Sequence, residues 1–131
     1  MDKVVHFEIP YDDKERAEGF YKDVFEWGIN SVPEMKYTMV HTAKTDDKGM
    51  IEEKGAINGG MFKRPESKDL KSPLLIINVN DIDEAIEKIK NSGGKIVRDK
   101  RNVGDMGIVA YFEDTEGNVL GVWQEMKKNK E

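Results

Sequence analysis

The chain has 131 residues, 37% of them hydrophobic and 36% charged, with a net charge of −5 and no cysteine. That length and balance suit one globular domain, or two small halves sharing a core, and the missing cysteine removes disulfides, thiolate metal sites and cysteine nucleophiles. Acidic and basic residues are interleaved, so no basic stripe is offered to nucleic acid, and no apolar run reaches the length of a membrane span.

Val4 to Ile9 alternates and is partly β-branched, which predicts a strand stopped by Pro10. Asp12 or Asp13 can cap the helix that follows, and Glu15 adds a favourable charge to its first turn. Ala17, Phe20, Tyr21, Val24 and Phe25 form the expected buried stripe of that helix, and Gly28 ends it. Ile29–Val32 and Lys36–Thr42 read as strands. Lys44–Lys54 is polar and reads as a flexible loop. Gly55–Phe62 reads as a strand interrupted by Gly59–Gly60, and Arg64–Ser72 as a linker. The order then recurs. Leu74–Val79 is a strand, and Asp81 or Asp83 caps a helix with Ile82, Ala85, Ile86 and Ile89 on one stripe. Gly93–Gly94 stops that helix. Lys95–Val103, Gly107–Glu113 and Val119–Glu125 are strands, the last two joined by a turn over Asp114–Asn118. Lys127, Lys128 and Lys130 are expected to be a solvated end.

His6–Tyr21 and Leu74–Ile89 align as two loose copies, with Ile9 on Ile77, Asp13 on Asp81, Ala17 on Ala85 and Tyr21 on Ile89. Two rounds of strand–helix–strand–strand–strand predict an α+β fold made of two βαβββ modules, residues 1–64 and 73–131 of a single domain, with the helices covering one sheet face.

The opening VVHFEIP, the Phe20–Tyr21 pair, Phe25-Glu26-Trp27-Gly28 and the late DTEGNVLGVW carry a resemblance to a known family. In that order and spacing the chain resembles the vicinal oxygen chelate superfamily of glyoxalase I, extradiol dioxygenases, fosfomycin-resistance and bleomycin-binding proteins. The resemblance implies paired βαβββ modules whose mixed sheets curl around a central cup with the helices on the outer face, frequent dimers, and in the glyoxalase-type members a divalent metal held by four cup-facing side chains. Position by position, His6 matches the first-strand ligand. Leu74 stands where the second module's ligand would be, Asn58-Gly59-Gly60 offers no carboxylate, and Gly121 falls on the family's glutamate position. A lone imidazole does not hold a metal ion against water, so no cofactor is expected; the alternative is a rearranged site in which His6, Glu8 and His41 supply the ligands of a divalent metal.

Strand parity, anchored on His6 and on the ligand positions that the resemblance implies, puts Val4, His6 and Glu8 on the cup face, together with Leu74, Ile76 and Asn78, and with Val119, Gly121 and Trp123. His6, Glu8, His41, Asn58, Leu74, Ile76, Asn78, Gly121 and Trp123 are the candidate ligand-binding residues. His6 and Glu8 are the candidate catalytic pair. Gly59, Gly60 and Gly121 would leave room for a ligand or admit another backbone. An apolar concavity with an aromatic wall and few polar groups predicts a small organic ligand bound without the family metal. The alternative is a lyase or isomerase related to lactoylglutathione lyase, with an altered site using His6 and Glu8. A homodimer is expected, with no nucleic-acid or membrane partner. The first residues lack the apolar core of a signal peptide, so a cytoplasmic location is expected.

Overall fold

The computed structural model describes residues 1–67 and 69–126, and the lysines at 127, 128 and 130 lie outside the described residues. Two compact units emerge, His6–Pro73 in one and Met1–Val5 with the residues from Leu74 onward in the other. The elements in chain order are β1 (Lys3–Tyr11), α1 (Lys14–Phe25), β2 (Gly28–Val32), a 3-10 turn (Pro33–Met35), β3 (Tyr37–His41), β4 (Asn58–Lys63), β5 (Leu74–Asn78), α2 (Ile82–Asn91), β6 (Lys95–Val103), β7 (Gly107–Glu113) and β8 (Val119–Glu125). This is the expected α+β arrangement of two βαβββ modules.

The two modules share one topology. In the first, β1 pairs parallel with β4, and β4–β3 and β3–β2 are antiparallel. In the second, β5 pairs parallel with β8, and β8–β7 and β7–β6 are antiparallel. The repeat extends to register. Glu8 lies opposite Gly60 and its counterpart Ile76 lies opposite Gly121, so each module presents a glycine to the same position of its first strand.

Pro10 does not end β1; the strand continues through it to Tyr11. The Arg64 N–H donates to the Tyr11 carbonyl at 2.7 Å, so the backbone groups of Tyr11 point toward β4. Those of its neighbour Pro10 therefore point away, and the missing N–H leaves no gap in the β1–β4 ladder.

Both helices are capped by the second of the expected aspartates or the first. Asp13 accepts from the Arg16 N–H, and Asp81 accepts from the Glu84 N–H at 3.1 Å. The α2 stripe is seated as expected: Ile82 is buried with Val79, Ala110 and Val122, and Ala85, Ile86 and Ile89 pack against that cluster. The helix stops at Gly93, whose φ is 95°, and the Gly94 N–H returns to the Ile89 carbonyl at 2.9 Å.

The α1 stripe is a correction. No residue of α1 is buried, and Phe20, Val24 and Phe25 are each more than half exposed. Polar contacts set the rotation of this helix. Lys14 Nζ donates to Ser31 Oγ at 2.6 Å, and the fully buried Thr38 donates its hydroxyl to Glu18 at 2.6 Å. These two bonds turn the Lys14–Glu18–Tyr21 side toward the sheet and leave Phe20 and Val24 on the outer flank. Tyr21 stacks on Trp27 with centroids 5.0 Å apart and an angle of 4°, and Trp27 meets Phe7 at 5.7 Å. Gly19 stands in the middle of α1, where glycine costs about 1 kcal/mol relative to alanine. A Cβ there would meet nothing within 4 Å, so no packing within the chain calls for the glycine.

Lys44–Lys54 is more ordered than its polarity implied. Thr45 and Ile51 form an isolated bridge, and the Asp46 carboxylate accepts from the Lys48 and Met50 N–H groups.

Candidate functional site

In the His6–Pro73 unit, period-two geometry places His6 and Glu8 on one face of β1, opposite Asn58 and Gly60 of β4, with Met39 of β3 beside Gly60. Tyr37 has the parity of Met39. Its ring runs over Gly60, and its hydroxyl shares a 2.8 Å hydrogen bond with His6 Nε2. A Cβ at Gly60 would run into the Tyr37 phenol, so the glycine is the shelf on which that ring lies. Gly59 serves the other face in the same way, where a Cβ would come within 2.5 Å of the Phe7 ring and carbonyl. The space expected at these two glycines is therefore filled by the chain's own aromatic rings.

His6 is partly buried and Glu8 is only 7% exposed. Burial lowers the His6 imidazole from 6.5 to about 4, because desolvation penalises the charged ring. At neutral pH the ring is uncharged, with one nitrogen engaged by Tyr37 and one left to donate or accept. Glu8, His6 and Tyr37 thus bring a carboxyl group, an imidazole and a phenol onto one face of one sheet.

Two other sequence candidates of this unit are placed elsewhere. His41 is exposed at the end of β3, paired with Gly28 of the edge strand β2. Asn58 lies beside His6, but its side-chain carbonyl accepts from the Thr42 and Ala43 N–H groups at 2.8 and 3.1 Å, and so fastens the chain leaving β3. Thr42 adds a hydroxyl bond to the Ile57 carbonyl at 2.6 Å.

In the other unit, Ile76 pairs with Gly121, and Gly121 with Tyr111. Asn78 pairs with Trp123, and Trp123 with Val109, one row further along the same face. Leu74 and Ile76 are buried, and Asn78 and Trp123 partly so. A Cβ at Gly121 would meet Ile76 Cδ1 at 2.5 Å, so the isoleucine occupies the room a side chain or ligand would need. The Trp123 indole reaches along its own sheet to Gly107, where an added Cβ would meet it at 2.5 Å. This face is an apolar wall with Asn78 as its polar residue among the sequence candidates.

These side chains do not fit the divalent metal of the superfamily. The remaining ligand position, His6, is hydrogen-bonded to a phenol, and the glycines at the two β4 and β8 positions are roofed by Tyr37 and Ile76. Among the described residues, no three His, Cys, Asp or Glu side chains are grouped to hold a metal ion. Tyr37 stands outside the candidates that the sequence offered. Its signal was parity, since Tyr37, Met39 and Gly60 share a face with His6, but the hydroxyl's partner depends on the ring crossing a glycine on the next strand.

Comparison with known proteins follows the same lines. A family model described as bleomycin resistance protein-like N-terminal matches residues 3–43. A glyoxylase-like domain-containing protein of Didymella fabae is 32% identical over 121 residues, covering 88% of each chain. The Mycobacterium bovis protein CFP32, a glyoxylase by name, is 24% identical over 115 residues. The match covers 86% of this chain but only 41% of that longer relative. Among solved structures, a methylmalonyl-CoA epimerase in complex with methylmalonyl-CoA and NH4+ superposes with a TM-score of 0.64. It covers 97% of this chain and 99% of its own at 16% identity, a likeness of fold. The shared module topology, the paired first-strand and last-strand registers and the extent of the fungal match lead to one conclusion: the chain belongs to the glyoxalase-like family of the vicinal oxygen chelate superfamily.

Proposed function

We propose that the protein binds a small organic molecule without a divalent metal, through the neutral His6–Tyr37 pair and the face around it. The supporting observation is the 2.8 Å bond between a desolvated imidazole and a phenol braced on Gly60. Keeping such polar groups from water is costly unless they are engaged, and strongly perturbed titration is a mark of functional sites. An imidazole that protonates near pH 4 is a weak base at pH 7, which favours recognition over general-base work at His6. The pair offers hydrogen bonds to a carbonyl, enol or amide group, with apolar residues for the remainder of the ligand.

A thermal-shift screen of metal-stripped protein against metabolites and fragments tests this. A ligand at about a hundred times its dissociation constant stabilises the fold by about 2.7 kcal/mol. The expected hits keep their shift in EDTA and lose it in Tyr37→Phe. A library without hits, or hits that need an added divalent cation, overturns the proposal.

Glu8 favours a second reading. A carboxyl group 7% exposed, two residues from His6 on the same face, suits a lyase or isomerase that moves a proton next to a carbonyl, with Glu8 as base and His6 holding the carbonyl oxygen. The epimerase that shares the fold gives this reading a substrate class to test, the acyl-CoA thioesters. Solvent deuterium entering methylmalonyl-CoA in the presence of wild type, but not of Glu8→Gln, supports it. No exchange above background removes it.

A further inference from the structure

We infer that the outer flank of α1 is a docking surface for the same flank of a second copy of this chain, the two helices running antiparallel. Arg16, Gly19, Phe20, Asp23 and Val24 recur at helical spacing and form one stripe. Phe20 is 55% exposed and Val24 54%, beside Phe25 at 54%, so the stripe has an apolar centre larger than an isolated surface side chain.

Three features of the stripe are unfavourable for a lone helix and favourable for such a pair. First, Gly19 weakens the helix, yet a Cβ there meets nothing within 4 Å. A glycine beside an exposed phenylalanine admits a ring from outside. Second, Arg16 lies in the first turn, where the helix dipole repels a cation, and Asp23 lies in the last turn, where it repels an anion. Third, neither forms an ion pair within the chain among the described residues.

A two-fold axis between Gly19 and Phe20 resolves all three. It sets Arg16 against the partner subunit's Asp23, and Asp23 against the partner subunit's Arg16. It lays Phe20 on the partner's Gly19, and opposes the two helix dipoles. The pattern is self-complementary under that rotation, as an isologous interface requires. A peptide or a lipid surface would give no reason for opposite charges placed symmetrically about a glycine. A helix of 12 residues is about 18 Å long, so the contact falls below the standard interface of about 1,600 Å² and the dimer is weak and concentration-dependent.

The inference stands apart from the ligand proposal, because Arg16, Phe20 and Asp23 contribute nothing to the His6–Tyr37 face. Its test is sedimentation velocity of the full chain from about 5 µM to about 1 mM, the range in which a contact of this size associates. The expected mass rises from the 15.0 kDa monomer toward twice that value. Phe20→Asp raises the dissociation constant at least about tenfold, and so do Arg16→Asp and Asp23→Arg singly, since each sets like charges face to face twice. The double reversal Arg16→Asp/Asp23→Arg restores association to within about threefold of wild type. Both single reversals suit the helix dipole, so circular dichroism should show α1 intact and the lost association cannot be charged to unfolding. A chain that stays monomeric throughout, or a dimer indifferent to Phe20→Asp and to the single reversals, overturns the inference.

Discussion

Acid should destabilise this protein through His6, and the size of the effect follows from its surroundings. The unfolded chain protonates its histidine near 6.5, whereas the folded imidazole waits until about 4. Between those values the unfolded state binds the extra proton, so stability is whole above pH 6.5 and falls as pH drops toward the folded value. The difference corresponds to about 2 kcal/mol lost by pH 5 and about 3 kcal/mol by pH 4. Many carboxylates titrate in the same window, so the reading is differential. Urea unfolding of wild type and His6→Phe at pH 7, 6, 5 and 4.5 should show the variant less stable at neutral pH, having lost the Tyr37 bond, and the gap closing or reversing as pH falls. The proton resonance of the His6 ring should titrate near 4 in the same samples. Parallel pH curves for the two proteins, or a ring that titrates at 6 or above, would refute the argument that desolvation controls this residue.

The shelf at Gly60 makes a second prediction. Gly60→Ala must displace the Tyr37 ring, which should cost about 1–3 kcal/mol by overpacking and return the His6 titration toward its ordinary value; an alanine that leaves both unchanged removes the shelf. Third, Ile82→Ala, at a side chain 1% exposed, should cost about 2–5 kcal/mol in denaturant titrations, whereas Leu75→Ala, at 46% exposed, should cost under about 1 kcal/mol.

The two modules were legible because a repeat fixes the order of elements before any tertiary contact is known. The seating of α2 was legible because Ile82, Ala85, Ile86 and Ile89 supply one stripe and no rival. On α1 the apolar residues outnumber the positions on one face, so their pattern does not say which of them turn inward. Lys14 with Ser31, and Glu18 with Thr38, decide it across strands that lie far along the chain. The same division holds at the site. Period-two geometry placed His6 and Glu8 together. It did not disclose that Asn58 fastens the strand exit at Thr42 and Ala43, or that Tyr37 would reach His6 across a glycine. Both depend on how neighbouring strands are registered, which pairing fixes and composition does not.

The glycine facing Ile76 bears on what a single substitution can do to this face. Placing a carboxylate at position 121 would not by itself supply a metal ligand, because Ile76 Cδ1 stands 2.5 Å from where the new Cβ must go. The isoleucine would have to swing its Cδ1 aside first, and Leu74 would have to acquire a donor besides. Each step alone weakens packing of a buried side chain and returns no affinity for an ion. A metal ligand set on this face needs several changes at once, so the packing holds the present arrangement in place.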